Sequence, residues 1–247
     1  MEFKIVNIEQ VDSTNKHILG LVESGECQEG LVVWADEQLA GRGHGDNIWE
    51  SERGKNLTFS LVLRPVYIKP ADQFIITKII SVAILHFLEK NMPSKDISIK
   101  WPNDIYIGEK KVAGILIQNS IKGNSIDYSI VGIGLNVNQT VFISDARNPV
   151  SIVQVSEKEY DLDKLLSQLL QEIGKQYEAS VSSVNVEQLD KSYRDHLFRQ
   201  QEWHAFSENG KYFRGMITGV GEYGRLQIKM ADGNTRQFDF KEVEFVI

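Results

Sequence analysis

A chain of 247 residues, 42% hydrophobic and 25% charged, suffices for one large domain or for a medium domain with a small one beside it. Its formal net charge of −7 argues against a general nucleic-acid surface but leaves room for a local basic pocket. The single cysteine, Cys27, excludes an internal disulfide framework, fits a reducing compartment and reads as a small apolar core residue.

The first residues hold no apolar run of signal-peptide length. Phe3 to Ile8 is β-like, and Asp12-Ser13-Thr14-Asn15 supplies helix-capping residue types for a helix that stops near Gly25. Leu31 to Ala35 reads as a buried strand, and Leu57 to Leu63 as a second one. From Ala71 to Lys90, apolar pairs recur every four residues, as in a long core-facing helix with one broad stripe. Its most apolar part, Phe74 to Leu88, is interrupted by Lys78 and falls short of the roughly 20 residues that cross a bilayer. A soluble, cytoplasmic protein without a membrane partner is the expectation.

Strand-like runs follow at Ile97–Trp101, Ile105–Ile107, Val112–Ser120 and Ile126–Ile133, with Lys122-Gly123-Asn124 turning the last two into an antiparallel pair. Leu162–Tyr177 and Val186–Phe198 have helical spacing. After about residue 200 come short strands at Glu202–Phe206, Phe213–Val220, Leu226–Met230 and Arg236–Phe240, separated by glycine-containing turns. The reading is an α+β domain over residues 1–198 and a small barrel over residues 199–247, packed closely together.

Three segments have the composition of a site. Gln38 to Asn47 carries Gly41, Gly43 and Gly45 around Arg42 and His44, so backbone can approach a ligand and Arg42 offers a planar fork to an anion. The spacing fits neither a P-loop nor a dinucleotide fingerprint, and a flexible surface turn is the plain alternative. Ile99 to Gln118 reads as a hairpin, with Lys100 before Trp101-Pro102-Asn103-Asp104 and Lys111 before Val112-Ala113-Gly114. Pro102 ends the first strand and puts Asn103-Asp104 at its rim, where a polyanionic ligand is one reading and two solvated lysines the other. In Val131 to Asn138, Gly132 and Gly134 weaken a strand unless something passes close by, and Asn136 offers a donor and an acceptor. His17, His86, His196 and His204 lack metal-ligand spacing, and no nucleophile elbow exists.

In this order and spacing, Asp12-Ser13-Thr14-Asn15, Gln38 to Gly45 with Trp49, Lys100 to Asp104, Lys111 to Ile115 and Gly132 to Asn136 closely resemble the biotin protein ligases. The resemblance covers nearly the whole chain. It implies an α+β catalytic domain related to class II aminoacyl-tRNA synthetases, with a mixed sheet and flanking helices, followed by an SH3-like β-barrel. It also implies ATP with Mg²⁺, biotin as substrate, and a biotin carboxyl carrier protein domain as partner. The implied biotin contacts are Ser13, Thr14, Asn15, Gln38, Gly41, Arg42, Gly43, His44, Lys111 and Gly114. Trp49, Lys100, Asn103, Asp104 and Asn136 are implied for the nucleotide, and Arg42 and Lys111 for catalysis. On this scheme Lys100 to Asp104 faces phosphates and metal, while Lys111 to Gly114 borders the biotin carboxylate.

Two departures bear on the expectations. Many relatives carry a second arginine where this chain has His44, which makes loop closure pH-sensitive near the ordinary histidine pKa of about 6.5. Repressor members of the family carry a helix-turn-helix domain ahead of the Asp-Ser-Thr-Asn segment, which begins here at residue 12. With the acidic balance, this sets the expectation of no DNA binding. The resemblance admits a monomer or a sheet-to-sheet homodimer. A lipoate or octanoate ligase and a non-catalytic biotin-binding module are the competing readings.

Overall fold

Alternation along one strand explains how the site arises. In β3 (Leu57–Leu63), Leu57, Phe59, Leu61 and Leu63 point to one core, while Val62 points to a second core on the opposite face. Thr58 and Ser60 share the face of Val62. A computed structural model describes residues 1–45, 47–144, 148–181 and 183–246. Asp46, within the glycine-rich segment, lies outside the described residues.

β3 sits inside a seven-stranded sheet with β1 (Lys4–Val11), β2 (Leu31–Gln38), β4 (Ile97–Lys100), β5 (Asp104–Ile107), β6 (Lys110–Lys122) and β7 (Ser125–Leu135). The order is β1-β2-β3-β7-β6-β5-β4. β1 and β2 pair in parallel and the other neighbours antiparallel, so the sheet is mixed. Gly123, at φ +64, turns β6 into β7 as expected.

α2 (Phe74–Asn91), α4 (Leu162–Ala179) and α5 (Ser183–Asp195) form the layer over the larger core. α2 is preceded by a 3-10 turn at Pro70–Asp72, so the helical run reaches 22 residues, longer than the sequence reading. That is a bilayer-spanning length, yet Ile76, Ile79 to Leu85, Phe87 and Leu88 are buried within the protein. The single apolar stripe is therefore wider than expected, because helices and sheet enclose α2 on several sides.

α1 (Thr14–Glu23) lies on the other face, against β2, β3 and β7. Its core consists of Ile18, Cys27, Leu31, Val33, Val62 and Ile130. Beyond Ile130 the same-face residues of β7 are Gly132 and Gly134. There the apolar filling ends and a cleft begins.

The C-terminal unit is a five-stranded antiparallel sheet, ordered β11-β10-β9-β8-β12. Its strands are β8 (Trp203–Glu208), β9 (Lys211–Val220), β10 (Leu226–Met230), β11 (Thr235–Phe238) and β12 (Glu244–Phe245). Asn209 and Gly210, both at positive φ, close the two-residue hairpin that their sequence favours. Phe206, Ile217, Leu226, Ile228, Phe238 and Phe245 continue the larger core without a break. Trp101 Nε1 donates to the Gly224 carbonyl at 2.8 Å, and a Cβ on Gly224 would lie 2.4 Å from the Phe74 ring. The two sheets are locked together beside the cleft.

The segment read as one hairpin is two. β4 and β5 join through Trp101-Pro102-Asn103, with a cis Trp101–Pro102 peptide, and β5 and β6 join through Gly108 and Glu109. Asp104 therefore opens a strand rather than sitting in a terminal loop.

Candidate active site

The cleft on the α1 side has a volume of about 1080 Å³ and its floor is glycine. Gly114 and Gly134 face each other across β6 and β7, and Gly132 pairs with Leu116. A Cβ on Gly132 would fall 2.2 Å from Asn15 Oδ1, and one on Gly134 would fall 2.2 Å from the Trp49 indole. The glycines in this strand are thus explained by two side chains lying directly on the backbone.

At one end, the start of α1 builds an acceptor-rich cluster. Ser13 is the N-cap but its side chain makes no capping bond, and Thr14 and Asn15 turn inward. Gln38 Oε1 accepts from the Thr14 backbone N–H at 2.8 Å and from Thr14 Oγ1 at 3.0 Å. Thr14 Oγ1 and Ser60 Oγ lie 2.6 Å apart, Ser60 donates to Asn15 Oδ1, and Asn15 Nδ2 donates to the Leu116 carbonyl at 3.3 Å. The Thr14 and Ser60 hydroxyl protons serve three oxygen–oxygen contacts, so the cluster can take a further donor. Such a pocket suits a ligand that presents N–H groups.

The glycine-rich segment is a folded arm. Gly43 N–H donates to the Asn47 carbonyl at 2.8 Å, Trp49 N–H donates to the Gly41 carbonyl at 3.0 Å, and Arg42 bridges to Ile48. A Cβ on Gly41 would come within 2.6 Å of the Trp49 carbonyl. Arg42 is exposed at the tip, and His44 packs edge-on against Phe240, with ring centroids 4.0 Å apart. Partial burial and the Lys241 ammonium lower the His44 pKa below its usual 6.5. His44 is therefore neutral at neutral pH, and any titration of the arm falls on the acid side of the expected value.

At the other end stand the charges. Lys111 Nζ lies 2.7 Å from Asp104 Oδ1 and 5.5 Å from the centre of the Trp49 ring. Asp104 and Lys111, read from the sequence as facing different ligand groups, thus form one ion pair. Lys100 places its ammonium 5.4 Å from the Tyr106 ring and 4.9 Å from Phe245 of the C-terminal sheet. Asn103 Nδ2 donates to the Ile115 carbonyl, and the Asn103 backbone carbonyl accepts from the Ile115 N–H at 3.0 Å. Asn136 Nδ2 donates to the Val150 carbonyl at 3.1 Å, whereas its Oδ1 is buried with no partner among the described residues. Trp49 Nε1 is likewise buried and unpartnered. A free acceptor and a free donor beside a stacking surface fit a heteroaromatic base.

All the sequence-nominated residues converge on this cleft except Gly41, which braces the arm beneath Trp49. Ser60, Phe240, Lys241, Val243, Glu244 and Phe245 were not foreseen as contributors. Ser60 was detectable as a buried hydroxyl within an apolar strand. The C-terminal residues gave no local signal, since only tertiary folding brings them to the cleft. Among the described residues no cluster of three His, Cys, Asp or Glu side chains is arranged to hold a metal.

The sequence profile of the Biotin/lipoate A/B protein ligase family matches residues 7–136. The bifunctional ligase/repressor BirA of Bacillus spizizenii is 30% identical over 229 residues, covering 90% of this chain and 68% of that protein. Human biotin–protein ligase is 27% identical over 239 residues, which are 93% of this chain but 32% of the human protein. Among solved structures, the biotin protein ligase of Aquifex aeolicus in complex with biotin and ATP superposes with a TM-score of 0.80 at 23% identity, over 98% of this chain and 99% of that one. A biotin protein ligase-like protein of unknown function from Silicibacter shares the fold at 15% identity and a TM-score of 0.74, over 96% of this chain and 94% of that one. The fold by itself therefore does not carry the activity. The profile match over residues 7–136 and the similarity to the Bacillus protein over 90% of this chain show that this chain belongs to the biotin/lipoate A/B protein ligase family, on its biotin protein ligase branch.

Proposed function

We propose that the protein is an ATP-dependent biotin ligase acting on a carrier lysine. In the first step a biotin carboxylate oxygen attacks the α-phosphorus of ATP, forming biotinyl-5′-AMP as pyrophosphate leaves. In the second, a lysine amine of a biotin carboxyl carrier domain attacks the acyl carbon. An amide forms, AMP departs, and the amine proton is released.

The observation that carries this reading is the union of two unlike subsites over one glycine floor. The Thr14, Ser60, Asn15 and Gln38 cluster suits the two N–H groups of a ureido ring. The Trp49 surface with the free Asn136 acceptor suits adenine. Lys111 lies beside that surface, and Arg42 stands at the tip of the arm above the cleft. Charge builds on the α-phosphoryl oxygens during attack, and a fixed cation there lowers the barrier. Apolar walls and the arm hold the reactants together and keep water from the anhydride.

Mg²⁺ fits as an ion carried by the nucleotide. Asp104 is the carboxylate beside Lys111, and Mg²⁺ is commonly held by one or two carboxylates plus phosphate oxygens. The metal supplies charge neutralisation on the phosphates. The protein's own residues bind and orient.

We take residues 1–198 as the catalytic unit and the five-stranded sheet of residues 199–247 as an SH3-like module. A cytoplasmic location and a monomer or homodimer belong to the same proposal. The acidic balance supports a ligase that binds no operator, and a mobility shift on DNA at physiological salt would oppose it.

The competing lipoate reading is disfavoured by the acceptor-rich cluster, because a dithiolane ring has no N–H to donate. Thermal-shift titrations with biotin and with lipoate decide between them, alongside biotin-dependent pyrophosphate release from ATP. Stabilisation by biotin with release supports the proposal. Stabilisation by lipoate alone overturns it, and binding of biotin without release leaves a sensor module.

A further inference from the structure

We infer that Lys241, carried across the cleft by the C-terminal sheet, is a binding residue for the β- and γ-phosphates of the nucleotide. The inference rests on ATP being the substrate, and it adds a residue from outside the five motifs.

The segment between β11 and β12 crosses to the mouth of the cleft. There Phe240 and Lys241 line the same space as Lys111 and Asp104. Lys241 has φ +70, a conformation that a residue with a side chain seldom adopts without being held. It is held by a short turn, in which Asp239 N–H donates to Glu242 Oε2 at 2.7 Å and Glu242 N–H donates to the Asp239 carbonyl at 3.1 Å. Val243, next along, is buried in the core. The turn aims the ammonium at the glycine-rich arm, where a Cβ on Gly45 would come within 2.6 Å of Lys241 Nζ.

Charge accounting around the cleft favours an anion at this point. Lys111 is already matched by Asp104. The Glu50 carboxylate is occupied by the backbone N–H groups of Ile143 and Ser144. No carboxylate among the described residues lies within ion-pair distance of Lys241. A cation held in a left-handed turn at the mouth of a cleft, opposite the arm that carries Arg42, matches an extended polyanion. Pyrophosphate is the leaving group of the first step, and a cation at its far end favours its departure.

The test uses the full-length protein with Lys241→Gln and Lys241→Arg. ATP dependence of biotin-driven pyrophosphate release is measured, and inorganic pyrophosphate binding is followed by calorimetry. Loss of one charge-assisted contact predicts a rise of about tenfold in KM for ATP and a similar loss of pyrophosphate affinity in Lys241→Gln. Lys241→Arg should recover most of both, and biotin affinity and Tm should stay unchanged. Wild-type KM and pyrophosphate affinity in Lys241→Gln overturn the inference, as does equal impairment in the two variants, which would mark a packing role. If the wild type releases no pyrophosphate yet binds it in a Lys241-dependent way, the anion site stands and the ATP reading falls.

Discussion

The Asp104 carboxylate lies 2.7 Å from the Lys111 ammonium, with both side chains more than two-thirds buried, one residue opening β5 and the other near the start of β6. Between them the β5–β6 register slips by one residue at Ile105/Tyr106, and this bulge sits beside the cleft. On the proposed reading, the cation meant for the reacting phosphate is held by an internal counter-ion before substrate arrives. Asp104 would then position Lys111, and a triphosphate would compete for the ammonium with more charge than one carboxylate carries.

Lys111→Ala should lose adenylate formation by roughly a hundredfold or more, the usual effect of deleting one preorganised donor to a developing oxyanion. The fold should persist, because a partly exposed ion pair is worth only about 1 kcal/mol. Asp104→Asn should slow the same step by less, since the cation remains but is no longer oriented. Single-turnover formation of biotinyl-AMP measures both, and near-normal rates in Lys111→Ala would remove that residue from the chemistry.

The two floor glycines predict separable defects. Gly132→Ala drives a methyl into Asn15 and should weaken biotin binding while leaving ATP binding close to normal. Gly134→Ala drives one into the Trp49 indole and should do the reverse. Each insertion costs about 1–3 kcal/mol of local repacking. Separate titrations with biotin and with a non-hydrolysable ATP analogue give the comparison, and identical defects in the two variants would contradict the two-subsite arrangement.

Arg42 stands exposed on an arm closed by Gly43–Asn47 and Trp49–Gly41 backbone bonds. Arg42→Gly should leave the arm's hairpin intact but loosen its hold on the acyl-adenylate, which then escapes and labels unrelated lysines. Mass spectrometry of a bystander protein incubated with the variant, biotin and ATP detects this. Strict carrier specificity in the variant would refute the role.

His44 and His86 both have pKa values lowered from 6.5, chiefly by burial, with Lys241 adding to the shift at His44. Below 6.5 the unfolded chain therefore binds protons at these sites that the folded chain does not. Stability should fall as pH drops below 6.5, recover as pH rises to that value, and be flat above it with respect to these two groups. An NMR titration should place the His44 midpoint below 6.5 and move it upward in Lys241→Gln. A midpoint at or above 6.5 in the wild type would contradict the neutral histidine at the arm.

Legibility in the sequence followed locality. β3 and β10 begin and end where the alternation of Leu57–Leu63 and Leu226–Met230 places them, and the Gly123 turn matches. α2 starts at Phe74 rather than Ala71 because Pro70 opens a tighter turn first. α3 (Ile152–Ser156) and β12 are too short to leave a periodic trace, although Ser151 and Gln154 form the capping box that signals α3. Within the site, segments contiguous in sequence were legible. The Asp104–Lys111 pair depended on a bulge, Ser60 on strand pairing, and Lys241 on how the C-terminal sheet docks, none of which a local pattern encodes.

The most direct measurement is the intact mass of a biotin carboxyl carrier domain after incubation with the protein, biotin and Mg-ATP. A gain of one biotinyl group on a single lysine is predicted, dependent on ATP and abolished in Lys111→Ala. An unchanged carrier mass with folded, biotin-binding protein, or a gain with lipoate in place of biotin, would contradict the account.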